Sequence, residues 1–123
     1  MLRSILLVAV GGAAGSVLRL LSTHYSSKLF VQHTFWGTFI VNIIGSLLMG
    51  LFTGYIYRNH ADDQHLKWLL LTGFCGGFTT FSAFAAENVK LIQQGNMGMS
   101  MVYTLSSMIV GCLAVYAGLW LSR

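Results

Sequence analysis

Charge is almost confined to the ends and joints of long apolar runs in this chain, so its fold must satisfy an apolar solvent before anything else. Seven basic and three acidic residues make up 8% of 123, against 55% hydrophobic, and the mean hydropathy is +0.70. A soluble domain carries roughly a quarter charged residues. The composition therefore predicts an all-α integral membrane protein, one domain over residues 1–123, with spans at about 4–21, 35–57, 67–90 and 98–121. A bundle this thin does not enclose a pore alone, and oligomerisation is expected. The net charge of +4 reflects a shortage of acids rather than a run of bases, which argues against a nucleic-acid partner. Cys75 and Cys112 lie in apolar runs and read as small hydrophobes, not as a disulfide.

The third run is interrupted by Gly-Phe-Cys-Gly-Gly-Phe-Thr-Thr-Phe-Ser-Ala-Phe over residues 73–84. Three glycines and two adjacent threonines replace the Leu, Ile and Val of a simple membrane helix, so a broken helix is expected. Non-helical backbone at membrane depth survives only where protein or a watery path covers its N–H and C=O groups. This stretch is accordingly the expected functional centre.

The first run begins at Arg3 and carries small residues at Ala13, Ala14 and Gly15, as secretory signals do; it continues past them to Arg19, which favours a retained span. Gly11, Gly15 and Arg19 recur every fourth residue, a close-packing face with a charge at its far end. Arg19 reads either as a snorkelling anchor or as an anion-attracting mouth. Residues 22–34, with His24, Lys28 and His33, are expected to form a polar connection, with an amphipathic or interfacial segment as the alternative because Tyr25, Leu29, Phe30 and Val31 interrupt it. Trp36 and Tyr57 frame the second span as interfacial anchors, and Thr38, Asn42, Ser46, Gly50 and Gly54 form a four-residue stripe along it. Helix packing accounts for Ser46, Gly50 and Gly54. Asn42 either ties helices together or offers N–H donors to a ligand. The His60, Asp62, Asp63 and His65 cluster matches no metal-site spacing and reads as a solvated turn. Phe81 and Phe84 share a helical face, as core or as rings whose positive edges meet an anion. Glu87 and Lys90 read as an end-of-helix ion pair. The short loop at residues 93–96 makes the last two spans antiparallel neighbours. Tyr103, Ser107 and Gly111 repeat at i+4 on the fourth span, for packing or for a ligand.

With alternating spans, Arg3, Arg58, Lys67 and Arg123 fall on one side and Arg19, Lys28 and Lys90 on the other. Because Lys/Arg excess sets orientation, so even a split predicts insertion both ways and an antiparallel pair.

Residues 12–19, then Gly37-Thr38 with Asn42 and Gly45-Ser46, then residues 73–84 followed by Glu87, resemble the Fluc (CrcB) family of small fluoride channels over essentially the whole chain. The resemblance implies a dual-topology antiparallel homodimer in the inner (plasma) membrane, with two pores lined by both subunits. It implies that Phe81 and Phe84 turn ring edges to fluoride, that Asn42 gives amide donors, and that Thr38, Ser82, Tyr103 and Ser107 give hydroxyls. Arg19 would concentrate anions at the vestibule. It also implies one structural sodium ion at the dimer interface, held by the backbone carbonyls of Gly76 and Thr79. The family reads Phe-Ser-Thr-Phe where this chain has Phe81-Ser82-Ala83-Phe84; with that hydroxyl missing, the path is expected either to be slower or to use Ser82 and Thr80.

Fluoride is small and strongly hydrated, so a dry pore must replace its water with converging donors. The apolar runs offer hydroxyls, one amide and phenyl edges, and their carboxylate, Glu87, is expected near a helix end. Two other readings compete. A small proton-coupled drug exporter needs a carboxylate in mid-membrane. A non-transporting packing protein explains the glycine stripes but not the Thr-Thr-Phe-Ser break. No nucleophile, base and orienting acid can be assembled, so an enzyme is not expected.

Overall fold

The computed structural model describes residues 1–31 and 35–123. Helix α1 spans Leu2–Leu29 and α2 spans Phe35–Asn59. A composite helix α3 covers residues 64–78, α4 spans Phe81–Gln93 and α5 spans Met97–Leu121. Four stretches are long and apolar enough to cross a membrane, the segment Gln64–Gln93 counting as one of them. The chain is an all-helical, multi-pass membrane protein.

The first helix corrects the sequence reading. Residues 22–29 continue α1 instead of forming a connection, and His24 and Lys28 are helical; His33 lies outside the described residues. The polar side chains here satisfy themselves on the helix backbone. Thr23 Oγ1 donates to the carbonyls of Arg19 and Leu20 at 2.9 and 3.0 Å, and Ser27 Oγ to that of His24 at 2.7 Å. At 28 residues α1 is about 42 Å long, more than an apolar bilayer core needs. Arg19 is thereby well inside the helix, not at its far end.

Short joints fix the remaining order. Asp63 caps α3, its Oδ1 accepting the backbone N–H of His65 and Leu66 at 2.9 and 3.2 Å, so the His60–His65 loop is a capping turn. Gly95 at φ 76° ends α4, with Gly95 N–H on the Ile92 carbonyl and Asn96 N–H on the Leu91 carbonyl. Only a residue without Cβ enters that left-handed turn cheaply. Asn96 then caps α5 through Oδ1 and Met99 N–H, and the two helices run antiparallel.

Two seams hold the bundle. In the first, α1 lies on α3, whose residues Lys67–Cys75 are wound with the wider i→i+5 hydrogen-bond pattern. A Cβ on Gly11 would run into the Leu69 carbonyl and stand 2.9 Å from Phe74 N; one on Gly77 would stand 2.5 Å from the Gly12 carbonyl. In the second, α2 lies on α5: Gly50 faces the Val115 carbonyl and Gly118, Gly54 faces Ser122, and Gly111 faces Ser46. Without hydrophobic driving force between helices in lipid, such close backbone approach supplies the packing. The buried side chains are correspondingly few: Val41, Ile56 and Cys75 are fully enclosed, and Phe35, Leu91 and Tyr103 form a cluster flanked by Phe39 and Phe84.

Candidate functional site

Helical hydrogen bonding stops after Phe78 and resumes at Phe81, with Thr79 (φ −80°, ψ 159°) and Thr80 (φ −147°, ψ 119°) extended between. Each backbone group released there must find a new partner, because a bare one in an apolar medium costs several kcal/mol. Asn42 on α2 takes both polar groups of Thr80: Thr80 N–H donates to Asn42 Oδ1 at 2.8 Å, and Asn42 Nδ2 donates to the Thr80 carbonyl at 3.0 Å. Arg19 reaches in from α1 and donates through Nη1 to the Thr79 carbonyl at 3.2 Å. Ser16 Oγ lies 3.5 Å from the Gly77 carbonyl. Thr80 Oγ1 caps α4 by accepting Ala83 N–H at 3.3 Å.

Asn42 thus ties α2 to the break, and one of its N–H groups is left over. Arg19 turns inward to a carbonyl rather than outward to the interface. Because Thr80 N–H is given to Asn42, the Gly76 carbonyl loses its i+4 donor; Thr79, whose i+4 donor goes to Thr80 Oγ1, holds Arg19 instead.

Open clefts flank the break on both sides. One, about 390 Å³, is lined by Arg19, Thr38, Thr80, Ser82 and Ala83 with Ser16, Leu20 and Thr23. The other, about 320 Å³, is lined by Asn42, Thr79, Thr80 and Phe81 with Gly45, Ser46, Met49 and Val115. Thr80 belongs to both. Arg19, Thr38, Thr80 and Ser82 are therefore brought together, and Asn42 meets Phe81. The Phe81 and Phe84 rings lie 5.9 Å apart, tilted by 41°; Phe81 is 79% exposed, while Phe84 packs inward on Tyr103 at 5.0 Å.

Glu87 departs from the sequence reading. Among the described residues no ion pair joins it to Lys90. Its carboxylate faces inward and accepts Thr38 Oγ1 at 2.6 Å and Tyr103 Oη at 2.8 Å. The i+3 rule describes a helix surface in water; a side chain turned into the bundle meets the neighbouring helices instead. Thr38 lies within about one turn of the start of α2, so the carboxylate sits toward one end of the bundle. Sequence reasoning missed the adjacent Asn88, which donates to the Phe84 carbonyl and accepts Ser100 Oγ at 2.7 Å and Thr104 Oγ1 at 3.0 Å. The i+4 spacing of Ser100 and Thr104 was the available signal. Ser107 Oγ is buried without a hydrogen-bond partner among the described residues, and no described contact joins it to either cleft.

The Gly76 and Thr79 carbonyls are hard oxygen donors suited to an alkali cation, but two oxygens are too few for one chain to hold it, whereas a second copy would bring them to four. Arg19 already uses one lone pair of Thr79, leaving the other.

The chain is similar to known proteins over nearly its whole length. The family model described as CrcB-like protein, Camphor Resistance (CrcB), matches residues 6–119. The chain is 43% identical to the fluoride-specific ion channel FluC of Flavobacterium psychrophilum, over 99% of this chain and 98% of the relative. It is 44% identical to the FluC of Agrobacterium fabrum over 98% and 96%, and 39% identical to that of Phocaeicola vulgatus over 99% and 100%. Matched over nearly its whole length by the family model and by these relatives, the chain belongs to the CrcB family.

Proposed function

We propose that this protein is a fluoride-selective passive channel of the inner (plasma) membrane, built as an antiparallel homodimer with two pores, through which cytoplasmic fluoride leaves down its gradient. The observation that carries the reading is the meeting, at one helix break, of the Phe81–Phe84 ring pair with donors from Arg19, Asn42, Thr80 and Ser82, with Thr38 lining the same cleft while its O–H is given to Glu87. Relatives of near-identical length named fluoride-specific channels support the choice of ion.

The ion enters where Arg19 sets a positive potential, loses water to the hydroxyls of Thr80 and Ser82 beside Thr38, and passes the edges of Phe81 and Phe84 with the spare N–H of Asn42 alongside. Tyr103 and Ser107 continue the path, the buried, unpartnered Ser107 hydroxyl being a donor in waiting. The segment 64–93 acts as one membrane span broken at Thr79–Thr80. Its open polar clefts and a 79% exposed Phe81 beside them need protein cover in lipid, which supports a second copy across this face. Near-equal Lys/Arg counts on the two sides support opposite orientations for the two copies. The Gly76 and Thr79 carbonyls of both copies would hold a structural sodium ion. When bound, it supplies fixed positive charge beside the anion path.

The inward Glu87 is the feature a proton-coupled exporter would use. Two hydroxyl donors hold it toward one end of the bundle, and passive flow remains the reading. Fluoride efflux from liposomes, read with an electrode and repeated with chloride under a potassium diffusion potential, tests it. Fast fluoride release without chloride release is expected; dimeric, folded protein that releases neither ion overturns the channel. Labelling of the termini in cells tests the pairing, and a single orientation removes the antiparallel dimer.

A further inference from the structure

The far end of the bundle from Glu87 carries a different polar feature. An open cleft of about 450 Å³ lies at the C-terminal ends of α2 and α5, lined by Gly54, Tyr57, Arg58, Leu119, Ser122 and Arg123. Gly54 packs against Ser122 at its edge, and Ser122 folds its hydroxyl back onto the Leu119 carbonyl at 3.0 Å. Two arginines thus line one hollow. Among the described residues neither guanidinium donates to an acceptor, and the ion pair found is His65 with Asp63 at 3.7 Å, so no described carboxylate pairs with them. Arg19, by contrast, spends a donor on a backbone carbonyl.

We propose that this cleft binds the phosphate of an anionic phospholipid headgroup, with Arg58 and Arg123 as the paired donors. A guanidinium is a rigid fork that matches phosphate oxygens two at a time. Basic pockets between membrane helices on the lipid-headgroup level take acidic lipids for this reason. The depth is right: Tyr57 and Trp120 are 63% and 59% exposed at these two helix ends, as interfacial aromatics are. Lys67 adds a third positive charge, its Nζ 5.1 Å above the Tyr57 ring and donating to the Ala61 carbonyl at 2.7 Å. Leu119 gives the cleft an apolar wall for the glycerol and upper acyl chain. Snorkelling alone explains an arginine in water; it does not explain two unpaired ones lining a common hollow with an interfacial ring. The site lies apart from the helix break and does not depend on which ion the protein conducts.

The test is the thermal midpoint of the full-length protein in a neutral detergent, with phosphatidylglycerol, phosphatidylcholine or inorganic phosphate added. Phosphatidylglycerol is expected to raise the midpoint by roughly 4 °C or more, and the other two to leave it unmoved. The R58Q/R123Q variant is expected to lose that rise while keeping its midpoint in phosphatidylcholine, and R3Q to retain it. If R58Q/R123Q does not fold, Arg58→Lys with Arg123→Lys keeps the charge but not the forks, and a reduced rise is expected. An undiminished rise in whichever pair variant folds overturns the site, as does its absence in the unaltered chain. Equal stabilisation by inorganic phosphate overturns the lipid and leaves a free-anion site.

Discussion

The two glycine seams and the break at Thr79–Thr80 face the same difficulty, backbone brought close to backbone in an apolar medium, and meet it in opposite ways. At the seams the side chain is removed: Gly11 lies on the Leu69 carbonyl and Gly50 on the Val115 carbonyl, and the helices on both sides stay wound. No polar group is released. At the break the winding is cut, and Asn42, Arg19 and Thr80 lend side-chain groups to the freed backbone. Seams of the first kind are dry and hold the bundle. The break concentrates donors that are only partly spent, so the chemistry available to an ion lies there.

The strongest challenge to this contrast uses adjacent glycines. A Cβ on Gly11 meets α3 backbone, whereas one on Gly12 finds only the Gly73 carbonyl at an ordinary 3.8 Å. Backbone cannot swing aside as a side chain can. Gly11→Ala is therefore expected to cost about 1–3 kcal/mol and to remove much of the folded protein, and Gly12→Ala to stay within about 0.5 kcal/mol. Thermal melts in detergent read both. Equal midpoints for the two variants would mean that the seam yields and that close approach is not what holds it.

Asn42→Asp attacks the break itself. Oδ1 can still accept Thr80 N–H, but the donor to the Thr80 carbonyl becomes a second acceptor, placing oxygen against oxygen. A loss of about 1–3 kcal/mol in stability is expected, together with loss of fluoride flux. Normal flux with a lowered midpoint would keep Asn42 as a strut and remove it from the ion path. Phe81→Ile and Phe84→Ile separate the two roles from the other side. Flux is expected to fall to background while dimerisation and melting are retained for Phe81, which is exposed, and the midpoint drops modestly for Phe84, which packs on Tyr103. Unchanged flux in a folded Phe81→Ile dimer would reduce the ring to lipid-facing cover.

The comparison also explains what could be read from the chain beforehand. Long apolar runs announce membrane-length helices, and glycine and threonine inside one of them announce a defect, because both signals are local in sequence. The end of α1 was misplaced because Thr23 and Ser27 look polar yet bond to their own helix, leaving nothing that stops it before Leu29. Glu87 was paired with Lys90 because an i+3 rule knows only its own helix; its donors, Thr38 and Tyr103, come from helices 49 and 16 residues away. The wide winding of residues 67–75 had no legible signature, since it comes from fitting α3 against the bare backbone of α1 rather than from any residue's preference.

The smallest expected effect concerns the hydroxyl this chain lacks. Ala83 lines the same cleft as Arg19, Thr38 and Ser82, so Ala83→Thr adds a donor and acceptor to the vestibule without touching either seam. Stability is expected to move by no more than about 0.5 kcal/mol. One neutral hydrogen bond is worth about 0.5–1.5 kcal/mol, so the gain in initial efflux rate is expected to stay under about tenfold. The added oxygen acts in one of two ways: directly on the ion, or by offering the Arg19 guanidinium an acceptor other than the Thr79 carbonyl and so drawing its charge into the cleft. We expect the second, because Arg19 is the cleft's one charged group and is at present spent on backbone. The gain should then vanish when Ala83→Thr is made together with Arg19→Gln. A gain of equal size in that background would show the hydroxyl acting on fluoride itself, and would place the break's chemistry in its side-chain oxygens rather than in the charge beside them.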